Sequence, residues 1–73
     1  MKNFPFKTGD IVELRPTKGA SQRTKNRIRE NGPRFNVRQS PRSVLDLGES
    51  VFLDSDKTGW FGWLPLSEVE VAQ

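Results

Sequence analysis

Short apolar segments that end at Pro or Gly recur along the chain, and this pattern limits the fold more than any other feature. Apolar residues at every second position predict half-buried strands, because successive side chains of a strand point to opposite faces. Short strands separated by turn residues about every 8 to 12 positions favour a small antiparallel barrel or sandwich. We therefore predict a mainly β, five- to six-stranded antiparallel barrel. The predicted strands cover residues 10–15, 34–39, 43–47, 50–55 and 60–65.

The connections and the core follow from the same pattern. Residues 40–42 are expected to form a turn, and Gly48-Glu49 is expected to join two strands into a hairpin. A single helical or 3₁₀ turn is expected at 66–68, and residues 69–71 add a final pairing. Closing the sheet into a barrel removes exposed strand edges. The predicted core residues are Val12, Leu14, Phe35, Val37, Val44, Val51, Leu53 and Leu64.

Residues 22–31 are predicted to form one short α-helix, inserted after the first strand. Ser21 suits the N-cap because its hydroxyl can accept an N–H of the first turn, and Gly32 suits a left-handed residue at the helix end. Ile28 is the only strongly apolar residue of this segment. This side chain, with Ala20 before the helix, must therefore anchor it, and the other faces are expected to meet water.

Length and composition exclude several kinds of function. At 73 residues the chain is expected to form a single domain, 1–73, with a small core. It has no Cys for a disulfide or a metal thiolate, and no His to act as a base near neutral pH. We therefore predict neither an enzyme nor a metal, cofactor or small-molecule substrate. No apolar run approaches the roughly 18 residues of a membrane span, and no signal peptide is apparent, so a cytoplasmic protein is expected.

Residues 54–59 look like the first half of an EF-hand calcium loop. Side-chain oxygens stand at the first, third and fifth positions, and Gly stands at the sixth. The twelfth position needs a bidentate Glu, and here it is Pro65. Because Asp, Ser and Gly are also the residues that turns favour, we predict a plain hairpin turn.

Two motifs near opposite ends of the chain resemble those of SH3-like barrels. FKTGD, residues 6–10, resembles the F-x-x-G-D segment that enters a central strand of SH3 domains. GWLPLSEV, residues 62–69, is similar to their closing G-x-x-P-x-x-x-V, in which a strand passes through Pro into a 3₁₀ turn. The resemblance implies an SH3-like barrel. SH3 domains that bind PxxP peptides carry a Tyr three residues after that Pro, and here the position is Glu68, so peptide binding of that kind is not implied.

Positive charge is concentrated in the first part of the chain. Residues 1–42 contain eleven Lys or Arg and three acidic residues, whereas residues 43–73 contain one Lys and six acidic residues. This asymmetry predicts one surface that faces a polyanion, and pairing between the two halves is the alternative. Helical spacing places two basic rows beside Ile28, and the outer face of the next strand extends them. The predicted nucleic-acid-binding residues, the basic set, are Arg23, Lys25, Arg27, Arg29, Arg34 and Arg38.

Lys and Arg side chains spread over a surface neutralise phosphates without reading bases, so contacts with a nucleic-acid backbone are expected. An acidic protein surface is the second partner that fits this chemistry, and a solvated connector without a ligand is the remaining interpretation. Glu30 is expected to pair locally with Arg27. No aromatic residue interleaves the basic residues of the helix, which argues against a stacking platform for single strands.

A second hypothesis rests on the aromatic residues of segment 60–65. On a strand, Phe61 and Trp63 face one way and Trp60 the other, so at least one Trp is expected at the surface. Exposed Trp residues anchor many interfaces. Trp60, Trp63 and Pro65 would then bind a protein partner, in an adaptor or a small subunit of a larger assembly. Small barrels of this kind also occur in phage-encoded proteins, and the fold does not choose among these roles.

Overall fold

Five antiparallel strands and one helix make up residues 6–72, the part of the chain that the computed structural model describes. The strands form one sheet in the order β4-β3-β2-β1-β5, and the whole measures 28 × 26 × 25 Å. The predicted mainly β, barrel-like fold with one short inserted helix is confirmed. The elements are β1 Ile11–Pro16, α1 Gln22–Asn31, β2 Arg34–Val44, β3 Gly48–Asp54, β4 Phe61–Pro65, a 3₁₀ turn at Leu66–Glu68, and β5 Val69–Val71.

The core lies on the inner face of the sheet, where apolar residues of neighbouring strands stand opposite one another. Direct cross-strand partners are Val12 with Phe35, Val37 with Leu53, and Val51 with Leu64. The helix adds Ile28 and β5 adds Val69 to the same cluster. Of the predicted core only Val44 is wrong: it is half-buried, because it lies beside the turn at the end of the β2–β3 hairpin. The remaining predicted core residues are all buried.

β2 is a single long strand, which corrects two predictions. It runs through Pro41, so the predicted turn at 40–42 is wrong. Residues 43–44 continue β2 and residues 45–47 form a turn, so the predicted separate strand at 43–47 is wrong as well. The pairing of β2 with β3 shifts register twice, between Val37 and Gln39 and again between Gln39 and Arg42. Bulges of this kind leave residues outside the hydrogen-bond ladder, which is where a strand tolerates Pro.

The hairpin turn also lies earlier than predicted. It spans residues 45–47, with Asp46 in the left-handed region at φ 78°. Gly48 pairs with Val44 and already belongs to β3, so the predicted Gly48-Glu49 connection is wrong. The single 3₁₀ turn and the final pairing of β5, which runs antiparallel to β1, are confirmed.

The helix has the predicted bounds, but the backbone conformation at its C-terminal end differs from the prediction. Ser21 caps the N-terminus, where its hydroxyl accepts the N–H of Thr24 at 3.3 Å. Gly32 has φ −101° and is not left-handed, contrary to the prediction. Glycine is needed at this position because there is no room for a side chain. A Cβ on Gly32 would lie 2.8 Å from the Ile28 carbonyl oxygen and 2.8 Å from the Phe35 ring. Glycine therefore lets the helix end approach the core.

We predict that Gly32→Ala destabilises the protein by about 1–3 kcal/mol, because the added methyl group must displace Phe35 or the helix end within a packed core. Gly19→Ala is the matched control, since a Cβ at that position meets no atom within 4 Å. Urea unfolding followed by tryptophan fluorescence compares the two variants. Equal unfolding midpoints for the two variants would contradict the conclusion that Gly32 lets the helix end approach the core closely.

Candidate functional site

The helix is held by a narrow buried stripe on one side. Ile28 is 6% exposed and packs into the core, and Thr24 and Asn31 are buried one turn to either side of it. The predicted anchoring by Ile28 is confirmed, because Ile28 belongs to the core cluster; Ala20 is buried as well but is not part of that cluster. The two polar members of the stripe were missed, because periodicity in the sequence identifies apolar contacts only.

At its N-terminal end the helix is fastened by Glu68 of the 3₁₀ turn. One carboxylate oxygen accepts the Thr24 hydroxyl at 2.6 Å, the Ser21 hydroxyl at 2.8 Å and the Ser21 N–H at 3.0 Å. These hydrogen bonds, the one from Thr24 first, lower the pKa of Glu68 because they stabilise its charged form. Glu68 therefore occupies the place at the helix N-terminus where a ligand anion would bind. Any contact with phosphates must use the sides of the helix.

At its C-terminal end the helix is fastened by the β3–β4 turn. The Ser55 hydroxyl donates to the Asn31 carbonyl oxygen at 2.6 Å, and the Thr58 hydroxyl donates to the Asn31 side chain. The Lys57 ammonium donates to the Gly32 carbonyl oxygen at 3.5 Å. Together with Glu68, these contacts set the rotation of the helix from both ends.

With the stripe facing inward, the basic side chains of α1 lie in two rows. Arg23 and Arg27 lie on one side of Ile28, and Lys25 and Arg29 lie on the other. The first row borders the aromatic segment: the Arg27 guanidinium carbon is 5.8 Å from the centroid of the Trp60 ring. Within residues 6–72, neither Arg23 nor Lys25 forms an ion pair.

Arg27 also has no acidic partner among the described residues, whereas Arg29, Arg34 and Arg38 each have one. Arg34 pairs with Glu13 at 3.0 Å across β1 and β2, and Arg38 pairs with Asp54 at 2.9 Å across β2 and β3. Arg29 lies 3.9 Å from Glu30, which corrects the predicted pairing of Glu30 with Arg27. The three arginine side chains are 62–75% exposed, and exposed pairs contribute little energy, so a phosphate can compete for them. The competition is hardest at Arg38, because Asp54 is only 19% exposed.

The two tryptophans face opposite sides, as predicted. Trp60 is half-buried, packs edge-on against Phe35 at 6.0 Å between ring centroids, and lies over Gly62, where a Cβ would come within 2.8 Å of the indole. Trp63 points to the outer face of the sheet, and its ring centroid is 4.9 Å from that of Phe52. The structure therefore does not bring Trp60 and Trp63 into one exposed surface.

A groove joins part of the basic set to part of the predicted protein-binding set. It has a volume of about 260 Å³ and lies between the start of the helix and β4. The groove is lined by residues of the helix start, the β2–β3 turn, β4 and the 3₁₀ turn: Ser21, Arg23, Thr24, Leu47, Trp63, Leu64, Pro65 and Glu68. Pro65 is itself buried, whereas Trp63 is half-buried. Trp63 is also the aromatic residue among those that line the groove.

The calcium-like loop is the predicted hairpin turn between β3 and β4. Its carboxylates are used by protein donors: Asn36 donates to Asp54 at 2.7 Å and to Asp56 at 3.0 Å. The part of the chain that the structure describes contains no group of three carboxylate, His or Cys residues arranged to hold a metal ion. Among residues 6–72 there is also no helix with the length and apolarity needed to cross a bilayer.

No protein-family model matches the chain. Comparisons with curated proteins and with solved structures also give no significant match. Any function assigned to this protein must therefore come from the chemistry and geometry of its own residues.

We predict a pH-dependent contribution of Glu68 to stability. Because its pKa in the folded state is lowered from about 4.5, this contribution is complete above that pH and is lost as the pH falls through the folded pKa. In urea unfolding, Glu68→Gln should therefore be less stable than the wild type at about pH 7, with a smaller difference at about pH 3. Glu70→Gln is the control, because its pair with Arg15 is exposed. A wild-type-to-Glu68→Gln difference that stays constant with pH would contradict this role.

Proposed function

We propose that this protein is a non-catalytic binding module that docks on nucleic-acid phosphates through the basic helix and the adjacent strand. The observation that carries the proposal is the anchoring of α1. One buried stripe and polar contacts at both ends hold the helix so that two rows of basic side chains flank it. Glu30 is the only acidic residue in this helix. A surface of this kind contacts backbone charge rather than base edges.

The members of the basic set contribute unequally in this proposal. Arg23 and Lys25 are available to phosphates directly, and Arg29 has only a long contact with Glu30. Arg34 and Arg38 extend the surface once a phosphate displaces or shares their carboxylate partners. The helix is therefore the primary contact, and the strand arginines are secondary.

An SH3-like ancestry and a cytoplasmic location belong to the same proposal. The FKTGD motif leads directly into β1, and the proline of GWLPLSEV stands at the end of β4 before a 3₁₀ turn, which supports the SH3-like assignment. A cytoplasmic location would bring this basic surface into contact with nucleic acid, the partner that we propose.

We predict that affinity for nucleic acid falls steeply as salt concentration rises. The double variant Arg23→Gln/Lys25→Gln should weaken binding to every sequence. It should also reduce the slope of log affinity against log salt by about 2, because each removed cation leaves one phosphate with its counterions. Fluorescence anisotropy with a labelled duplex oligonucleotide at several salt concentrations measures this slope.

Arg15→Gln is the matched control for that experiment. Arg15 is also an exposed arginine, but it pairs with Glu70 between β1 and β5 and lies outside the basic set. This control should bind as the wild type does. Binding that ignores ionic strength, or a double variant equal to the wild type, would reject phosphate docking.

A protein-interaction module, or a small subunit of a larger assembly, is the second candidate function. The groove lined by Trp63, Pro65 and Leu47 favours it, because an accessible Trp beside apolar residues is a common interface anchor. This alternative predicts that Trp63→Ala abolishes binding of a purified protein partner, while Arg23→Gln/Lys25→Gln retains it.

A further inference from the structure

Phe52, Phe61 and Trp63 form an outer aromatic cluster on the face of the sheet that points away from the core. Phe52 and Trp63 are cross-strand partners, and the Phe61 ring meets Phe52 edge-on with 6.2 Å between centroids. Phe61 is 69% exposed. Exposed apolar side chains that stand alone are ordinary, but three aromatic rings in contact form a patch of the kind that marks an interaction site.

Two arginines lie at the edges of the outer aromatic cluster. The Arg42 guanidinium carbon is 6.0 Å from the centroid of the Trp63 ring. Arg38, Phe52 and Phe61 together line a cavity of about 220 Å³. The cluster therefore combines flat apolar rings with cationic planes on its borders, a combination that suits a ligand with both planar groups and negative charge.

Arg38 is held in place at this cavity. Its guanidinium donates to Asp54 at 2.9 Å, and Asn36 fixes the same carboxylate through its other oxygen at 2.7 Å. Asp54 also neutralises much of the charge of Arg38. A phosphate can therefore share Arg38 with Asp54, and in this fixed position Arg38 can also stack on a base or donate one of its remaining N–H groups to it.

We propose that the outer aromatic cluster stacks unpaired bases of a single-stranded nucleic acid, with one base in the cavity between Arg38, Phe52 and Phe61. Aromatic rings and arginine planes are the surfaces on which proteins stack single-stranded bases. This inference rests on the proposed function, and it specifies the nucleic acid as single-stranded. In a duplex the bases are stacked on one another and do not reach a sheet face.

The outer aromatic cluster is continuous with the basic helix. Trp63 belongs to the cluster and also lines the groove that contains Arg23. Glu68 also lines this groove, so a strand whose bases lie on Phe61 and Trp63 must keep its backbone on the Arg23 side, away from that carboxylate, to reach the Arg23–Arg27 row. The two surfaces act on different parts of one ligand, bases at the sheet and phosphates at the helix.

The test compares single-stranded and duplex binding of variants of the whole chain. Fluorescence anisotropy is measured with labelled oligouridylate, oligothymidylate and a duplex, each about ten nucleotides long, within the range of known single-strand sites. Phe61→Ala should weaken binding of the single strands by roughly five- to 100-fold, the loss of one stacked base, and leave duplex binding unchanged. Phe61→Leu should weaken single-strand binding by a similar factor, because leucine keeps the apolar bulk but has no ring to stack on a base.

Ile11→Ala is the matched control. Ile11 lies on the outer face of β1 and is 64% exposed, close to the value for Phe61, but it is outside the cluster. The control should bind single strands as the wild type does. Because Phe61 is exposed, Phe61→Ala and Phe61→Leu should also keep the urea midpoint of the wild type. This measurement separates loss of binding from loss of folding.

The tryptophans provide an independent readout. In Trp60→Phe protein the remaining tryptophan is Trp63, so its fluorescence reports on the outer aromatic cluster alone. Oligothymidylate should quench this emission, whereas the duplex should not. The same titration with oligouridylate shows whether the bound strand is RNA or DNA by preference.

Several outcomes would overturn the inference. If Phe61→Ala binds single strands as tightly as the wild type while Arg23→Gln/Lys25→Gln weakens all binding, base stacking fails and phosphate docking stands. If no oligonucleotide binds in a salt-dependent way, both fail together. A Phe61-dependent dimer in sedimentation, or Phe61-dependent binding of a proline-rich peptide without binding of oligonucleotides, would assign the cluster to another occupant.

Discussion

The packing of Ile28 into the core determines where every basic residue of the helix points. Burying one such side chain stabilises by about 1.5–3 kcal/mol, and isolated helices of this length are not stable in water. Ile28 alone therefore does not hold α1. The hydrogen bonds of Thr24 and Ser21 to Glu68 and of Asn31 to the β3–β4 turn supply the rest, and they exclude other rotations of the helix because buried hydroxyl and amide groups need their partners.

The uneven distribution of charge along the chain is partly resolved by the fold. Among residues 6–72, two ion pairs join the basic first part to the acidic second part, Arg15 with Glu70 and Arg38 with Asp54. Both lie on the strands, where cross-strand neighbours place opposite charges within reach. The helix lies apart from these ladders, and Arg23, Lys25 and Arg27 have no acidic partner within residues 6–72, so its basic rows leave positive charge for a partner. Internal pairing and an external polyanion are thus compatible, on different elements of the same small domain.

Much of the fold could be predicted from the sequence because its signals are local. Alternation identified the buried residues of β1 and β2, and Ser21 with a single anchoring Ile28 located the helix. The errors arose where pairing between strands decides the outcome. Pro41 is inside β2 because register shifts against β3 accommodate it, and no local pattern shows such a shift. The outer aromatic cluster has the same origin: Phe52 faces Trp63 only through the β3–β4 register.

The contact of Glu68 with the helix has a consequence for synthesis of the chain on the ribosome. The helix residues are made early, but the carboxylate that fixes the first turn is made only after all four longer strands. Chains grow at about 5 to 20 residues per second, so for a few seconds the nascent helix lacks its partner. During that interval its arginines have no fixed direction. The basic surface therefore cannot take its final orientation until the 3₁₀ turn has left the exit tunnel.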